Sequence, residues 1–136
     1  MKQILFTLIL FALFGTQVQA QFLTKSDLTP DSTTYPNIYV KKIHTDERSS
    51  SFIIWVKQTV PPHKHVEHTE VVTVLSGKAI MTLGGQTQKI KKGDIILIPL
   101  GTEHSVMTKG RKPLVVLSTQ SPEFKGKDRI WIKPQR

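Results

Sequence analysis

The sequence predicts an all-β domain, either a sandwich or a barrel. Runs rich in β-branched and aromatic residues recur along the chain, and turns containing Gly, Pro or Asp separate them every several residues. No convincing amphipathic helix interrupts this pattern, which amounts to about nine short strands. Short strands with closely spaced turns are typical of sandwiches and barrels, so the pattern alone gives the fold class.

The first twenty residues predict a Sec-type signal peptide. Lys2 precedes an apolar run over residues 4–14, and Val18 and Ala20 supply the small residues before a cleavage site. A membrane anchor is the alternative, but the run is shorter than the about 20 residues that a spanning helix needs. We therefore expect an exported protein, periplasmic or secreted, that begins near Gln21 and keeps no membrane contact after cleavage.

The remaining chain predicts a leader followed by one folded domain. Residues 21–36 carry Ser, Thr, Asp and Pro and predict a segment that wraps the domain or stays mobile. Residues 37–136 form the domain, in which Pro61 and Pro62 are expected to end a strand because proline donates no backbone hydrogen bond. Gly84-Gly85 predicts a two-residue hairpin. The expected strands cover 38–43, 51–60, 70–75, 78–83, 86–91, 94–98, 103–108, 114–119 and 129–133, with a short extended piece at 63–65.

Apolar residues on these strands give the expected core. Gly77, Gly93 and Gly101 are expected at turns with positive φ, where glycine is favoured. The core prediction consists of Phe52, Trp55, Met81, Ile96, Ile98, Val106, Val115 and Leu117.

Composition removes several function classes. The chain has no cysteine, which excludes thiolate metal sites, Cys-His catalysis and disulfides. Its formal net charge is +9. Nucleic acid is not an expected partner, because the chain has neither a recognition helix nor aromatic residues interleaved with its basic ones. A solvated basic surface is favoured, and a weaker possibility is that the positive field attracts an anionic substrate such as a uronate.

Four of the five histidines lie between residues 61 and 104. His63 and His65 are two apart, so on an extended strand both imidazoles face the same side. Glu70 could add an oxygen ligand and His104 a third nitrogen, a donor set suited to a divalent transition metal. Each residue alone also fits a polar, solvated loop, and Glu70 fits an exposed acid at a strand edge.

The spacing of the whole set resembles the cupin superfamily, in the form of a small single-domain member. His63, His65, Glu70 and Gly77 match the first cupin motif, and the segment from Gly93 through Pro99 and Gly101 to His104 matches most of the second. The resemblance covers roughly residues 38–132. Lys57 departs from it where the first motif usually opens with Gly, and Thr108 where the second usually closes with Asn.

The resemblance implies a double-stranded β-helix, or jelly-roll barrel, holding one divalent metal (Fe, Mn, Ni, Cu or Zn) inside. By the same resemblance the ligands are His63, His65, Glu70 and His104. His68 is expected at the rim or behind the ligands with an acid–base role, and Glu103 flanks the site and could reach the mouth of the barrel. His68 and Glu103 are thus the candidate catalytic residues.

Three functions follow from this reading. The first is a metal-dependent enzyme on a small organic molecule, either a quercetinase-like dioxygenase or a uronate-converting type. The second is a non-catalytic module that binds a metal or a sugar, and the third is a structural dimer-forming cupin. We rank the enzyme first and the structural protein last. A homodimer through the outward faces of the first strands is expected by family resemblance.

Overall fold

Ten β-strands form the fold, and the computed structural model describes residue 20 and residues 22–133. No helix occurs among these residues, and therefore none that could span a membrane. The predicted signal peptide lies outside the described residues except for Ala20. The strands are β1 (Ile38–Thr45), β2 (Ser50–Val56), β3 (Thr59–His65), β4 (Thr69–Ser76), β5 (Lys78–Leu83), β6 (Gln86–Lys91), β7 (Ile95–Ile98), β8 (His104–Thr108), β9 (Leu114–Ser121) and β10 (Arg129–Trp131).

The strands build two five-stranded antiparallel sheets that face each other. The first sheet has the order β1-β2-β9-β4-β7 and the second the order β10-β3-β8-β5-β6. Alternate residues point between the sheets, as a pleated strand requires. On β4 these are Glu70, Val72 and Val74, all buried. The all-β jelly-roll prediction is confirmed.

The apolar core fills one end of the space between the sheets. Val72 and Val74 of the first sheet pack in the same cluster as Ala79 and Met81 of the second. The core members are Val56, Val72, Val74, Ala79, Met81, Ile90, Ile98, Leu114 and Val116. This leaves the end where β3, β8 and β10 meet β4 and β9 for the polar side chains.

The predicted strand 51–60 is wrong, because the chain turns at Lys57 and Gln58 and forms two strands in different sheets. The expectation that Pro61 and Pro62 end a strand is also wrong. β3 runs through both prolines, and its pairing with β8 shifts register between Val60 and His63. An irregularity of this kind is one of the few places where a strand accepts proline, since the missing N–H interrupts no ladder bond there.

The leader lies against the outer side of β1 and β2. Asp31 accepts a hydrogen bond from the Tyr39 hydroxyl at 3.0 Å and pairs with Lys41 at 2.8 Å. The Lys57 ammonium donates to the backbone oxygen of Tyr35 at 2.7 Å and lies over its ring. Lys57, which departs from the cupin pattern, therefore tethers the leader. This contact occupies part of the surface on which the homodimer is expected.

Gly77 joins β4 to β5 at a position that only glycine can occupy. Its φ is +82°, and a Cβ there would lie 2.5 Å from the backbone oxygen of Pro113. The predicted positive φ is confirmed at Gly77, Gly93 and Gly101. Thr108, the second departure from the cupin pattern, donates from its hydroxyl to the backbone oxygen of Val56 at 2.9 Å and so joins the two sheets.

Candidate metal centre

Three histidines converge from two neighbouring strands of the second sheet. His63 and His65 lie on β3, and His104 is directly opposite His63 on β8. The three side chains are buried, and each offers a ring nitrogen within 4.8 Å of the others. The expected same-side placement of His63 and His65 follows from the two-residue period of the strand.

Glu70 reaches the histidines from the opposite sheet. Its Oε2 lies 3.5 Å from Nε2 of His65 and 3.4 Å from Nε2 of His104. Two atoms bonded to one ion at about 2.1 Å lie about 3.0–3.4 Å apart at octahedral to tetrahedral angles. The separations of Glu70 from His65 and His104 are thus close to those that a shared ion requires, and His63 lies within 4.8 Å of these two histidines, nitrogen to nitrogen.

Hydrogen bonds behind two of the rings determine which nitrogen faces inward. His63 Nδ1 lies 2.8 Å from the backbone oxygen of Pro61, and His104 Nδ1 lies 3.0 Å from that of Thr102. A carbonyl oxygen only accepts, so each Nδ1 carries the proton and donates. The Nε2 lone pairs of both rings are therefore directed at the cluster, which is the tautomer a metal ligand needs.

The protonation states favour binding of a cation near neutral pH. Burial, followed by the nearby His104 ring, lowers the pKa of His63 to about 4. Burial alone would raise the pKa of Glu70, but the close His104 and His65 rings and the hydrogen bond from Ser118 together hold this pKa well below its usual range. The Glu70 carboxylate and the neutral His63 imidazole then lie in one buried cluster, and a cation there would stabilise both.

Ser118 and Gln120 on β9 hold the Glu70 carboxylate from behind. Ser118 donates from its hydroxyl to Glu70 Oε1, and Gln120 Nε2 lies 3.4 Å from the same oxygen. Both residues are buried, and sequence analysis did not name either. The sequence pointed to the other face of β9, because Val115 and Leu117 are apolar, whereas Ser118 and Gln120 share the buried face with Leu114 and Val116.

Asp128 is a further residue that the sequence reading missed. It is buried just before β10, and its Oδ2 lies 2.6 Å from Nδ1 of His68. Its Oδ1 faces Nδ1 of His65 at 3.6 Å, beyond hydrogen-bonding distance, and neither atom has a hydrogen-bond partner in the part of the chain that the structure describes. The Asp128 carboxylate therefore lies behind the ligand candidate His65, on the side of its outer nitrogen.

The two predicted catalytic residues lie apart from the centre of the site. Of the two positions expected for His68, at the rim or behind the ligands, the structure shows the second: His68 is 2% exposed, and its ring centroid lies 4.2 Å from that of His65. Burial lowers its pKa, followed by the effect of the neighbouring His65. Glu103 is exposed and does not line the cavity beside the histidines. A catalytic role for either residue stays a prediction.

A cavity of about 110 Å³ lies against the cluster. Val56, Val72 and Ile98 are among the many apolar residues in its wall, and the polar side chains collect at His63, His65, Glu70, His104, Ser105 and Gln120. Small-molecule sites in proteins commonly combine an apolar wall with a few convergent polar groups. Arg129 and Trp131 of β10, both exposed, complete the lining at the open side.

The two facing sheets and the buried donor cluster define a jelly-roll barrel whose His and Glu side chains could hold a metal ion. The family model described as "Cupin domain" matches residues 50–120. The chain belongs to the cupin family.

Known relatives support this assignment. A protein of Aquifex aeolicus is 34% identical over 96 residues, which cover 71% of this chain and 78% of that protein. A Klebsiella pneumoniae protein with a double-stranded β-helix domain superposes with a TM-score of 0.71 at 19% identity, covering 85% of this chain and 100% of that one. A variant of Streptomyces Pac13 with uridine gives 0.64 at 16% identity, covering 74% and 82%, and Pac13 is described as a nucleoside dehydratase. At these identities the two structures show the fold alone.

Proposed function

We propose that this cupin is a metal-dependent enzyme that acts on a small organic molecule. One observation carries the proposal: Nε2 of His65 and His104 and Oε2 of Glu70 meet at the wall of a largely apolar cavity that opens to the surface. His63 would complete the ligand set, and a bound divalent ion would polarise a carbonyl or enolate oxygen.

The chain supplies further groups for binding the substrate. Gln120 lines the cavity, and its Nε2 is directed at the Glu70 carboxylate and the Ser118 hydroxyl. Its Oε1 is buried without a hydrogen-bond partner among the described residues. An unpartnered buried acceptor costs about 1–3 kcal/mol, so a hydroxyl of the substrate donating to Oε1 would be favoured. The apolar wall would exclude water around the reacting carbonyl.

Cavity size bears on which enzyme is favoured. Pockets that enclose a drug-sized ligand have volumes of about 300–1,000 Å³, and this cavity has about 110 Å³. A flavonol would remain largely outside, which weakens the quercetinase-like alternative. A smaller, sugar-derived substrate, as in the uronate-converting alternative, fits the space better.

A non-catalytic module that binds a metal or a sugar is the second candidate. The observation in its favour is that neither His68 nor Glu103 lines the cavity. Without a proton-transfer residue in contact with the ligand, the site would bind without turnover. We also propose export through the predicted signal peptide and assembly as a homodimer. Retention in the cytoplasm would contradict the first, and a monomer mass by light scattering at micromolar concentration would contradict the second.

The function is tested with protein stripped of metal and reloaded separately with Fe, Mn, Ni, Cu or Zn. Oxygen uptake is measured with catechols and flavonols, and loss of substrate with unsaturated uronates. Turnover should require the metal, disappear in His104→Gln, and persist in the matched variant His44→Gln, since His44 is an exposed histidine of β1. Metal binding without turnover of any substrate would instead support the non-catalytic module.

A further inference from the structure

Arg129 and Trp131 stand beside the histidine cluster on the inner face of the same sheet. β10 pairs with β3 so that Arg129 lies opposite His65 and Trp131 opposite His63. Residues two apart on a strand face the same side, and directly opposed residues lie about 4.5–5.5 Å apart between Cβ atoms. The Trp131 and His63 rings are 5.2 Å apart between centroids. The four side chains thus form one continuous surface leading from the cluster to the mouth.

The Arg129 guanidinium is held in position by two aromatic rings. Its central carbon lies 5.5 Å from the centroid of Phe124 and 5.5 Å from that of Trp131. Contacts of this kind attract a guanidinium and restrict its rotamers without using its hydrogen-bond donors. Among the described residues, no carboxylate lies within ion-pairing distance of it; the adjacent Asp128 pairs with His68 instead. A cation with fixed geometry and unused donors therefore faces the mouth of the cavity.

Among the residues from 22 to 133 that line the cavity, Arg129 is the sole lysine or arginine. The remaining charge at the site, on Glu70, is directed at the metal-ligand candidates. One guanidinium matches one planar carboxylate with two parallel hydrogen bonds. A phosphate ester, with up to two charges, would need further cations that the lining does not provide.

We propose that Arg129 is the specificity-determining residue of this site and selects small monocarboxylates. The carboxylate binds Arg129, the carbon skeleton lies against Trp131, and the other end of the molecule reaches the histidine cluster. This inference rests on the proposed function for the location of the reacting end, but the carboxylate contact is independent of any bound metal.

Protocatechuate is a suitable probe, because its catechol oxygens can bind a metal while its carboxylate lies across the ring from them. The neutral amide of protocatechuate is the matched compound, identical except for the charged end. Affinities are measured by calorimetry without oxygen, on the zinc-loaded protein and on Arg129→Gln and Lys64→Gln. Lys64 is the control because it lies between His63 and His65 on β3 and faces the opposite side of the sheet.

The wild-type protein should bind the carboxylate at least about tenfold more tightly than the amide, as expected for a hydrogen-bonded charge. Arg129→Gln should remove this preference while retaining zinc, and Lys64→Gln should keep it. Equal affinities for the two probes, failure to bind either, or a preference that survives in Arg129→Gln would overturn the proposal. A protein that prefers the carboxylate but binds no metal would contradict the proposed function and leave the assignment of Arg129 intact.

Discussion

Replacing Asp128 by Asn should weaken metal binding although Asp128 is not itself a ligand candidate. The carboxylate has one oxygen 2.6 Å from Nδ1 of His68 and the other 3.6 Å from Nδ1 of His65. Oδ2 accepts a hydrogen bond from His68, and the negative charge of Oδ1 favours a proton on the facing Nδ1 of His65, although the two atoms are too far apart for a hydrogen bond. His65 then directs its Nε2 lone pair towards Glu70 and the rest of the cluster.

Asparagine offers one accepting oxygen and one donating amide group in the same space. If the asparagine oxygen accepts from His68, the asparagine NH₂ group faces Nδ1 of His65. Two hydrogen-bond donors, this NH₂ group and the protonated Nδ1, then oppose each other. The ring can relieve this by moving its proton to Nε2, which removes the lone pair that a metal needs. Loss of an outer partner of a ligating histidine typically reduces metal affinity about 10- to 100-fold, or about 1.4–2.8 kcal/mol.

The assay is competition between the protein and a calibrated chelator for zinc, with thermal unfolding of the metal-free protein as a check of folding. Asp31→Asn provides the matched control, since Asp31 is an exposed acid that pairs with Lys41 on the outer side of β1. We expect weaker zinc binding in Asp128→Asn and unchanged binding in Asp31→Asn. Unaltered zinc affinity in a folded Asp128→Asn protein would refute this reasoning.

Two further predictions concern stability. As the pH falls from about 7 to about 5, the unfolding free energy of the metal-free protein should decrease by about 2 kcal/mol. The reason is that the pKa of His63 is about 6.5 in the unfolded chain and about 4 in the folded protein, so only the unfolded chain gains this proton in that range. Urea titrations measure this, and a His63→Gln variant with an equally steep pH dependence would exclude His63 as the cause. Gly77→Ala should lower the unfolding free energy by at least about 3 kcal/mol. The strain of a side chain at positive φ is added there to the clash of a Cβ placed 2.5 Å from the backbone oxygen of Pro113. Gly85→Ala, with a similar φ but nothing within 4 Å, should cost only about 1–2 kcal/mol, and similar losses in both variants would contradict the packing argument.

The alternation of side chains along a β-strand was enough to predict the part of the site that lies on regular strands. His63 and His65 face one side because a strand alternates, and this holds even with an irregularity just before them. The motif spacing also placed Glu70 and His104 with them. Local geometry and recognised spacing were therefore sufficient for the four ligand candidates.

The face of β9 could not be assigned in the same way. The core prediction chose Val115 and Leu117, but Leu114 and Val116 are the buried pair. The sequence favours the wrong face because Ser118 and Gln120, which share the buried parity, are polar. They point inward to hold Glu70, and polar residues at inward positions are expected where a strand contributes to a site.

Asp128 and His68 depend on tertiary packing that no local pattern reports. They are distant in the chain, and Asp128 stands among Lys127 and Arg129, where the sequence resembles a solvated basic tail. Only the pairing of β10 with β3 brings Asp128 behind His65. The same pairing places Arg129 at the mouth of the cavity.

X-ray absorption spectroscopy at the absorption edge of the bound metal is the most direct test of the claim that three histidines and Glu70 form one metal centre. The protein loaded with one equivalent of zinc should show nitrogen and oxygen neighbours at about 2.0–2.2 Å and the outer scattering of three imidazole rings. His104→Ala should reduce the imidazole count by one. A spectrum with one imidazole or none, or one that is unchanged in His104→Ala, would contradict a metal centre built from His63, His65, His104 and Glu70.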